Sequence, residues 1–548
     1  MNSLKTINAY FIKYKWRLML GALFVFLSSL FSIYQGVIVR DATNEIVDLI
    51  TNHHEVDSFK FIRFGLILLG LAFTSGFFLF LMRQTIIVMS RHIEFDQKNE
   101  MYAHYQSLDA SFYKNHSTGD LMNRISEDVG KVRMYTGPAI MYLINTFATI
   151  LIVLIFMLKT NMQLTALVFA PLPFLSFAIY KVSDLINKRS TVVQEELSKL
   201  TSHTQETFSA VRVIKAYARE KYYIGEIEKL NLNFKRQNLH LAIVEAFFQP
   251  VLVLMVGISV IATVWLGGHL VISKTIEPGN ITEFILYVYK MTWPFASLGW
   301  VTSLVQRASA SQTRINEFLN SKPLIANDPE IKSSIRGDIE FRNVSFTYPD
   351  TGIEAIKDLS LKIKKGDTIG IKGQIGTGKS TLANLMMRLY DVSSGSILVD
   401  QRPIQKYDLF DLRRSIGYVP QEVFLFSDTI RNNIAFSSRH HYSEEEVHQA
   451  AKDAGVYDNI IAFPNAFDTV VGERGVTLSG GQKQRISIAR AIISKPQILI
   501  FDDCLSAVDV ESEELILNNL RKLMKDKTTI IISHRDSALR YADKVIEL

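Results

Sequence analysis

The chain has 548 residues, 48% of them hydrophobic, a formal net charge of +6 and one cysteine, Cys504. It is too long for one domain, and a single cysteine excludes both a disulfide framework and a cysteine-based metal site and suits reduced, cytosolic surroundings for residue 504. With no Lys/Arg cluster interleaved with aromatics, the small charge excess argues against a nucleic-acid partner.

Residues 1–319 carry apolar runs long enough to cross a bilayer as helices, at roughly 18–39, 61–82, 138–158, 163–183, 246–267 and 281–305. Lys13, Lys15 and Arg17 precede the first run with no acidic residue before it, which places the N-terminus in the cytoplasm. The next loop fits that orientation, since Asp41, Glu45, Asp48, Glu55 and Asp57 outnumber Arg40 and Lys60. The first run ends in Gln35-Gly36-Val37-Ile38-Val39-Arg40, with no small-residue cleavage site, and reads as a retained span. Long segments separate spans two and three and spans four and five. Glu94 to Leu108 and Ser190 to Gln237 carry helical spacing there. They read as solvated hairpins or, as the preferred alternative, as helices that leave the membrane to meet a second domain.

Ionisable groups inside a span are costly and are functional candidates. Lys290 sits well inside span six, as a cavity-lining contact or as the partner of a buried acid. Arg83 and Glu245 lie near span ends, where they snorkel. Phe284, Tyr287, Trp293, Phe295 and Trp300 make span six aromatic, either as an adaptable apolar pocket or as lipid-facing and interfacial anchors. Pro250 and Pro294 are expected to kink spans five and six.

Residues 320–336 are polar, include Pro323 and Pro329, and read as a linker. From 337 to 548 short strand-like and helix-like segments alternate. Residues 373–381, Gly-Gln-Ile-Gly-Thr-Gly-Lys-Ser-Thr, fit the phosphate-loop pattern through Gly373, Gly378, Lys379 and Ser380. An apolar strand, Thr368 to Ile371, precedes the loop, and a helix-like stretch, Leu382 to Leu389, follows it. The backbone N–H groups of such a loop wrap phosphate oxygens, the lysine reaches the β- and γ-phosphates, and the serine ligates Mg²⁺. Leu478-Ser479-Gly480-Gly481-Gln482 opens another helix-like run. Ile498-Leu499-Ile500-Phe501 ends in Asp502 and Asp503, where a Mg²⁺-binding Asp is expected. His534 follows the apolar strand Thr528 to Ile532, Gln421 follows Tyr418-Val419-Pro420, and Tyr348 precedes Pro349.

Taken in this order over essentially the whole chain, these motifs resemble an ATP-binding-cassette exporter of the half-transporter type. The fold class implied is an α-helical six-span transmembrane domain fused to an α/β P-loop nucleotide-binding domain. The resemblance implies that Tyr348 stacks on adenine. It implies that Gly373, Gln374, Gly376, Thr377, Gly378, Lys379, Ser380 and Thr381 bind ATP phosphates. Ser479, Gly480, Gly481 and Gln482 form the signature, which acts on ATP bound to the opposite subunit. Ser380, Gln421 and Asp502 serve Mg²⁺, and Asp503, Gln421 and His534 serve hydrolysis. Ser506 and Asp509 lie in a loop resembling the one that crosses the dimer interface. Glu473, within Thr469 to Gly475, lies in a segment resembling the one that touches the partner's cytoplasmic helices. The stretches Ser111 to Asp120 and Val211 to Arg219 resemble coupling helices.

The departure from the family pattern is Asp503, where a Glu is expected. Its carboxylate is one methylene shorter, a shortfall of about 1–1.5 Å, and a displacement near 1 Å costs on the order of a hundredfold in rate. The expectation is a site that binds ATP and hydrolyses it slowly, beside an intact signature. That pairing suggests a heterodimer with a Glu-bearing partner, with a homodimer as the alternative. The cargo implied is hydrophobic or amphipathic small molecules, as in multidrug exporters. A lipid flippase and an ATP-gated channel or regulator share the architecture. The peptidase-bearing form of peptide exporter is disfavoured, because no extra N-terminal domain or catalytic cysteine is present. The location expected is a bacterial plasma membrane, with the N-terminus and nucleotide domain cytoplasmic. The end at Leu548, soon after His534, suggests a truncated C-terminus.

Overall fold

A computed structural model describes the chain except Met1 and residues 53–57, 328–329, 331–333, 375, 438–441, 473–477 and 505–509. It falls into two compact units, one of residues 1–104 and 119–321, the other of residues 105–118 and 322–548.

The first unit is helical. Helix α1 spans Lys15–Asn52 and α2 spans Ser58–Met82. A π-helical turn, Arg83–Ile87, carries α2 into α3, Val88–Ser107. The short α4, Ala110–Asn115, belongs to the second unit. Two further π turns, Arg124–Asp128 and Tyr135–Ala139, lead into α5, Ile140–Thr160, with Pro138 inside the later one. Then follow α6, Pro171–Ser209; α7, Val211–Ala216; α8, Glu220–Ile272; and α9, Pro278–Leu319. Among the described residues three continuous helices are long and apolar enough to cross a membrane: Lys15–Asn52, Ser58–Ser107 and Thr118–Thr160. The runs at 163–183, 246–267 and 281–305 lie in the helices Met162–Phe169 and α6, in α8 and in α9. Pro250 and Pro294 sit inside α8 and α9, which run on past them.

Apolar side chains cannot drive association where the surroundings are equally apolar, so close approach of backbones and buried polar pairs matter more. Both are present. A side chain at Gly36 would meet the Tyr287 ring at 2.7 Å, so the glycine lets α1 lie against α9. Glu283, 1% exposed, accepts from the Tyr287 hydroxyl at 2.7 Å and the Asn280 amide at 3.2 Å, and faces Arg40 of α1 at 3.6 Å. Lys290 donates to the Ser32 hydroxyl at 2.6 Å, which answers its sequence alternatives with a hydroxyl of α1 rather than an acid. Arg83 and Glu245 are exposed.

Nearer the start of α5, Asp128 closes the π turn Arg124–Asp128 and is 3% exposed. The Ser311 hydroxyl donates to it at 2.9 Å, and Arg314 grips it with two guanidinium nitrogens, Nε at 2.8 Å. Burial alone would raise this carboxyl, but the Arg314 and Ser311 hydrogen bonds outweigh it and hold the carboxyl below the usual range.

The second unit holds two sheets. In the antiparallel one the spatial order is β2 (Glu354–Ile363), β1 (Ile339–Thr347), β4 (Ser394–Val399), β5 (Arg402–Pro403). In β1, buried residues fall largely at alternate positions, as in a sheet with one covered face. The parallel sheet runs β6 (Ile416–Val419), β7 (Ile498–Asp502), β8 (Thr528–Ile532), β3 (Thr368–Lys372), β9 (Lys544–Glu547). Every residue of β7 and β8 is buried, which explains their unbroken apolar sequences: parallel strands are covered on both faces. The linker residue Leu324 donates its N–H to Asp109, the N-cap of α4, at 2.6 Å.

Removing Arg314 strands a buried carboxylate. Because the arginine end is half-exposed, the cost of Arg314→Leu should fall below the range for fully buried pairs, at about 2 kcal/mol. Thermal melts in detergent should show a clear drop for Arg314→Leu and almost none for Lys131→Ala, whose nitrogen stands 3.7 Å from Asp128. Equal effects would mean that the Arg314 contact is not the anchor. The Asp128 contribution is present above the ordinary carboxylate range and is lost as pH falls through the lowered pKa.

Candidate nucleotide-binding site

Parallel pairing fixes where the motifs meet. Strand β3 pairs with β8 through Ile371 and Ile532, and β8 pairs with β7 through Ile532 and Asp502. Strand β7 pairs with β6 through Phe501 and Val419. All four strands therefore end at one edge, the usual position for ligands in open α/β sheets. The phosphate loop leaves β3 there, Asp502 and Asp503 leave β7, His534 follows β8 by two residues, and Gln421 follows β6 by two. Strand β6 lies three strand spacings from β3, about 14 Å.

The loop is shaped by its glycines at two places. Gly378 has φ +88°, and an added Cβ would lie 2.1 Å from the Ala355 carbonyl oxygen of β2. Gly376 has φ +90° with open space around it. The Lys379 ammonium donates to the carbonyls of Gly373 at 2.8 Å and Gln374 at 2.6 Å, and the Thr377 hydroxyl donates to Gln374 at 3.0 Å. Helix α10, Lys379–Met386, starts at Gly378 as its N-cap, so its unpaired N–H groups open beside the loop. Burial lowers the Lys379 ammonium from its ordinary value, against the pull of Asp503 and Asp502.

Asp502 is 2% exposed and lies near the Ser380 side chain, while the Tyr418 hydroxyl reaches it at 3.4 Å. Burial pushes this carboxyl up, and the Ser380 and Tyr418 side chains only partly counter it. A desolvated carboxylate beside a hydroxyl is a hard-oxygen pair that suits Mg²⁺, a cation usually held by one or two carboxylates plus phosphate oxygens. Asp503 follows with φ +44°, a left-handed backbone that Asp tolerates better than most residues, and its N–H donates to Ile532 at 2.8 Å. His534 and Gln421 are exposed at the same edge.

Tyr348 follows β1 in a turn closed by its N–H on the Ile353 carbonyl, and its hydroxyl meets the Thr381 hydroxyl at 2.9 Å. The predicted adenine residue and the phosphate-loop helix are thus in contact. Ser479 caps α11, Gly480–Ile492: it accepts from the Gln482 N–H at 3.3 Å, while Gln482 accepts from the Ser479 N–H at 3.0 Å. This is a capping box, and the Ser-x-x-Gln spacing in the sequence is its signal. Gly480 and Gly481 form the first turn of that helix. Farther along α11, Arg490 donates to the Asn433 carbonyl at 2.8 Å and the Phe424 carbonyl at 2.9 Å, tying the helix to the segment that follows Gln421. Sequence reasoning missed Arg490, because nothing local marks a side chain that braces a distant loop. Ser506, Asp509 and Glu473 lie outside the described residues.

The chain also matches known proteins. The family model described as "ABC transporter transmembrane region" matches residues 18–295, and the one described as "ABC transporter" matches residues 356–506. "Multidrug resistance-like ATP-binding protein MdlA" of Escherichia coli (strain K12) is 33% identical, over 98% of this chain and 90% of that protein. "Probable multidrug resistance ABC transporter ATP-binding/permease protein YheI" of Bacillus subtilis (strain 168) is 35% identical, over 87% of this chain and 83% of that protein. "ATP-dependent lipid A-core flippase" of Syntrophus aciditrophicus (strain SB) is 34% identical, over 84% of this chain and 76% of that protein.

The two loop glycines should separate in titrations with a fluorescent ATP analogue. Gly378→Ala meets both a left-handed backbone and the Ala355 carbonyl, and should lose more than tenfold in affinity. Gly376→Ala meets the backbone cost alone, about 1 kcal/mol or roughly fivefold. Equal losses would contradict the steric role assigned to Gly378.

Proposed function

The chain belongs to the ABC transporter family, and from that premise we propose that it is one half of a dimeric exporter that moves hydrophobic or amphipathic small molecules by alternating access. The observation that carries the reading is the shared strand edge: phosphate loop, Asp502, Asp503, His534 and Gln421 gather there in a chain that also bears membrane-length helices. Multidrug resistance appears in the names of two relatives and lipid A-core flipping in that of a third. A lipid flippase is therefore the second reading of the same machinery.

The chain's own residues divide the work. Lys379 and the N–H groups opening α10 hold phosphate oxygens, and Tyr348 supports the base. Ser380 and Asp502 would hold Mg²⁺, with Gln421 completing the set; when bound, the ion neutralises charge on the phosphates. Asp503 orients the attacking water from a carboxylate one methylene shorter than the family's Glu. Ser479, Gly480, Gly481 and Gln482 present a helix N-terminus to ATP on a second subunit. ATP drives the cycle only through tighter binding to the closed state. Asp509, Ser506 and Glu473 are assigned to the subunit interface.

Two exposed apolar patches support a second subunit. One is Phe208, Val213 and Tyr217 around α7, and the other is Phe424, Phe426 and Phe436 beyond Gln421. Large contiguous apolar patches on a soluble surface mark interaction sites. We assign the partner as a different half-transporter carrying a Glu at the position of Asp503, with a homodimer as the alternative. The location assigned is a bacterial plasma membrane, with the N-terminus and nucleotide domain on the cytoplasmic side. Cargo-stimulated ATP hydrolysis would support the exporter, whereas passive ion currents would support a gated channel.

Hydrolysis by the chain alone in lipid should be slow and should rise at least tenfold in Asp503→Glu, read beside Asp503→Asn as the inactive reference. The left-handed backbone at residue 503 opposes part of this gain, because a longer side chain tolerates that conformation less well than Asp. Fast hydrolysis by the natural chain, with no gain in the variant, would reject the impaired site and favour the homodimer.

A further inference from the structure

Lys114, on α4, has no role in the site as described so far, yet it lies against the residue assigned to the base. Its ammonium stands 4.2 Å from the centroid of the Tyr348 ring. The same ammonium pairs with Asp350, two residues beyond Tyr348, at 2.8 Å. The Tyr348 ring is held on other sides as well. Phe346 and Tyr390 stand nearly perpendicular to it, with centroids at 4.9 Å and 5.5 Å, and its hydroxyl meets Thr381. Lys114 thus stands over the ring of a residue whose position is fixed by these other contacts.

We propose that Lys114 and the adenine base compete for the Tyr348 ring, so that base binding releases the segment Tyr105–Thr118 from that ring. The inference rests on the reading of Tyr348 as the base platform. A cation over an aromatic face and a stacked base both use the same π-surface, and they cannot occupy one face together. The contact is built to yield. The Lys114 side chain is 45% exposed, so its attraction to Tyr348 and Asp350 is screened. A cavity of about 210 Å³, lined by Asp109, Ser111, Phe346 and Tyr390, lies beside the same segment and gives room for a local shift. Asp109 keeps the segment tethered, through its bond from the Leu324 N–H. Release at Lys114 is therefore a local shift, and the ring acts as a reporter of whether the base is bound.

The test uses the full chain in lipid nanodiscs and two probes with Mg²⁺: a non-hydrolysable ATP analogue, and tripolyphosphate, which has no base. Lys114→Met should bind the analogue about threefold to fivefold tighter, the scale of a lost cation–π contact, with tripolyphosphate affinity unchanged. In the natural chain, hydrogen exchange across residues 105–118 should rise with the analogue and not with tripolyphosphate. Unchanged or weaker binding of the analogue, a gain shared by both probes, or exchange that ignores the base would overturn the proposal. Tyr348→Ala distinguishes the two levels. If it spares the analogue, both the base platform and the competition fail. If it weakens the analogue while Lys114→Met has no effect, the competition alone fails.

Discussion

The register of four parallel strands is the constraint on which the nucleotide site depends. No motif does its work alone: Lys379, Asp502, His534 and Gln421 come from four distant stretches of sequence, and ladder hydrogen bonds align the ends of their strands. The apolar runs that flank the motifs are the cause. Strands such as Ile498–Asp502 and Thr528–Ile532 are stable only when buried on both faces, and that burial forces each polar residue at a strand end out to the edge. The chemistry sits where hydrophobic burial stops. One buried carboxylate, Asp502, escapes this rule. Its desolvation sets it apart from a surface acid.

The same economy of desolvation governs the helical unit, with the signs changed. Inside a bilayer polar groups need partners within the bundle, and Glu283 finds three. Those partners join α1 to α9, so the cost of burying a carboxylate becomes a clamp between two helices. Asp128 and Arg314 perform a similar function nearer the start of α5.

The phosphate loop, its strand and the apolar strands β7 and β8 were legible because each carries a local pattern: glycine spacing, or a β-branched run bounded by polar residues. The helix after the loop begins at Lys379, earlier than the apolar residues suggested, because Gly378 supplies the left-handed cap that starts it. The antiparallel sheet of β1, β2, β4 and β5 was not resolved as a unit. The alternation is interrupted within β1, and its pairing carries register shifts that no local pattern announces. Arg490, Lys114 and Asp350 were invisible for a different reason: an isolated charge gives no hint of the distant backbone or ring that it will meet. The left-handed backbone at Asp503 was likewise hidden, because φ is set by the junction of strand and loop rather than by the residue alone.

The three π turns, at Arg83–Ile87, Arg124–Asp128 and Tyr135–Ala139, each accommodate one residue more than a regular helix would. The wider winding takes that residue up, so the helix beyond keeps its phase, whereas removing a residue from the regular winding beside it would rotate everything beyond by about 100°, the angle per residue of a 3.6-residue turn. Asp128 would then face away from Arg314, and downstream contacts would be turned with it. Descendants of such a helix are free to exchange letters but not to change their count: substitutions test one contact, whereas a single-codon deletion breaks the phase of a whole span. Drift in this part of the gene is therefore expected to run through point changes, with insertions and deletions confined to the connections between helices and to the π turns.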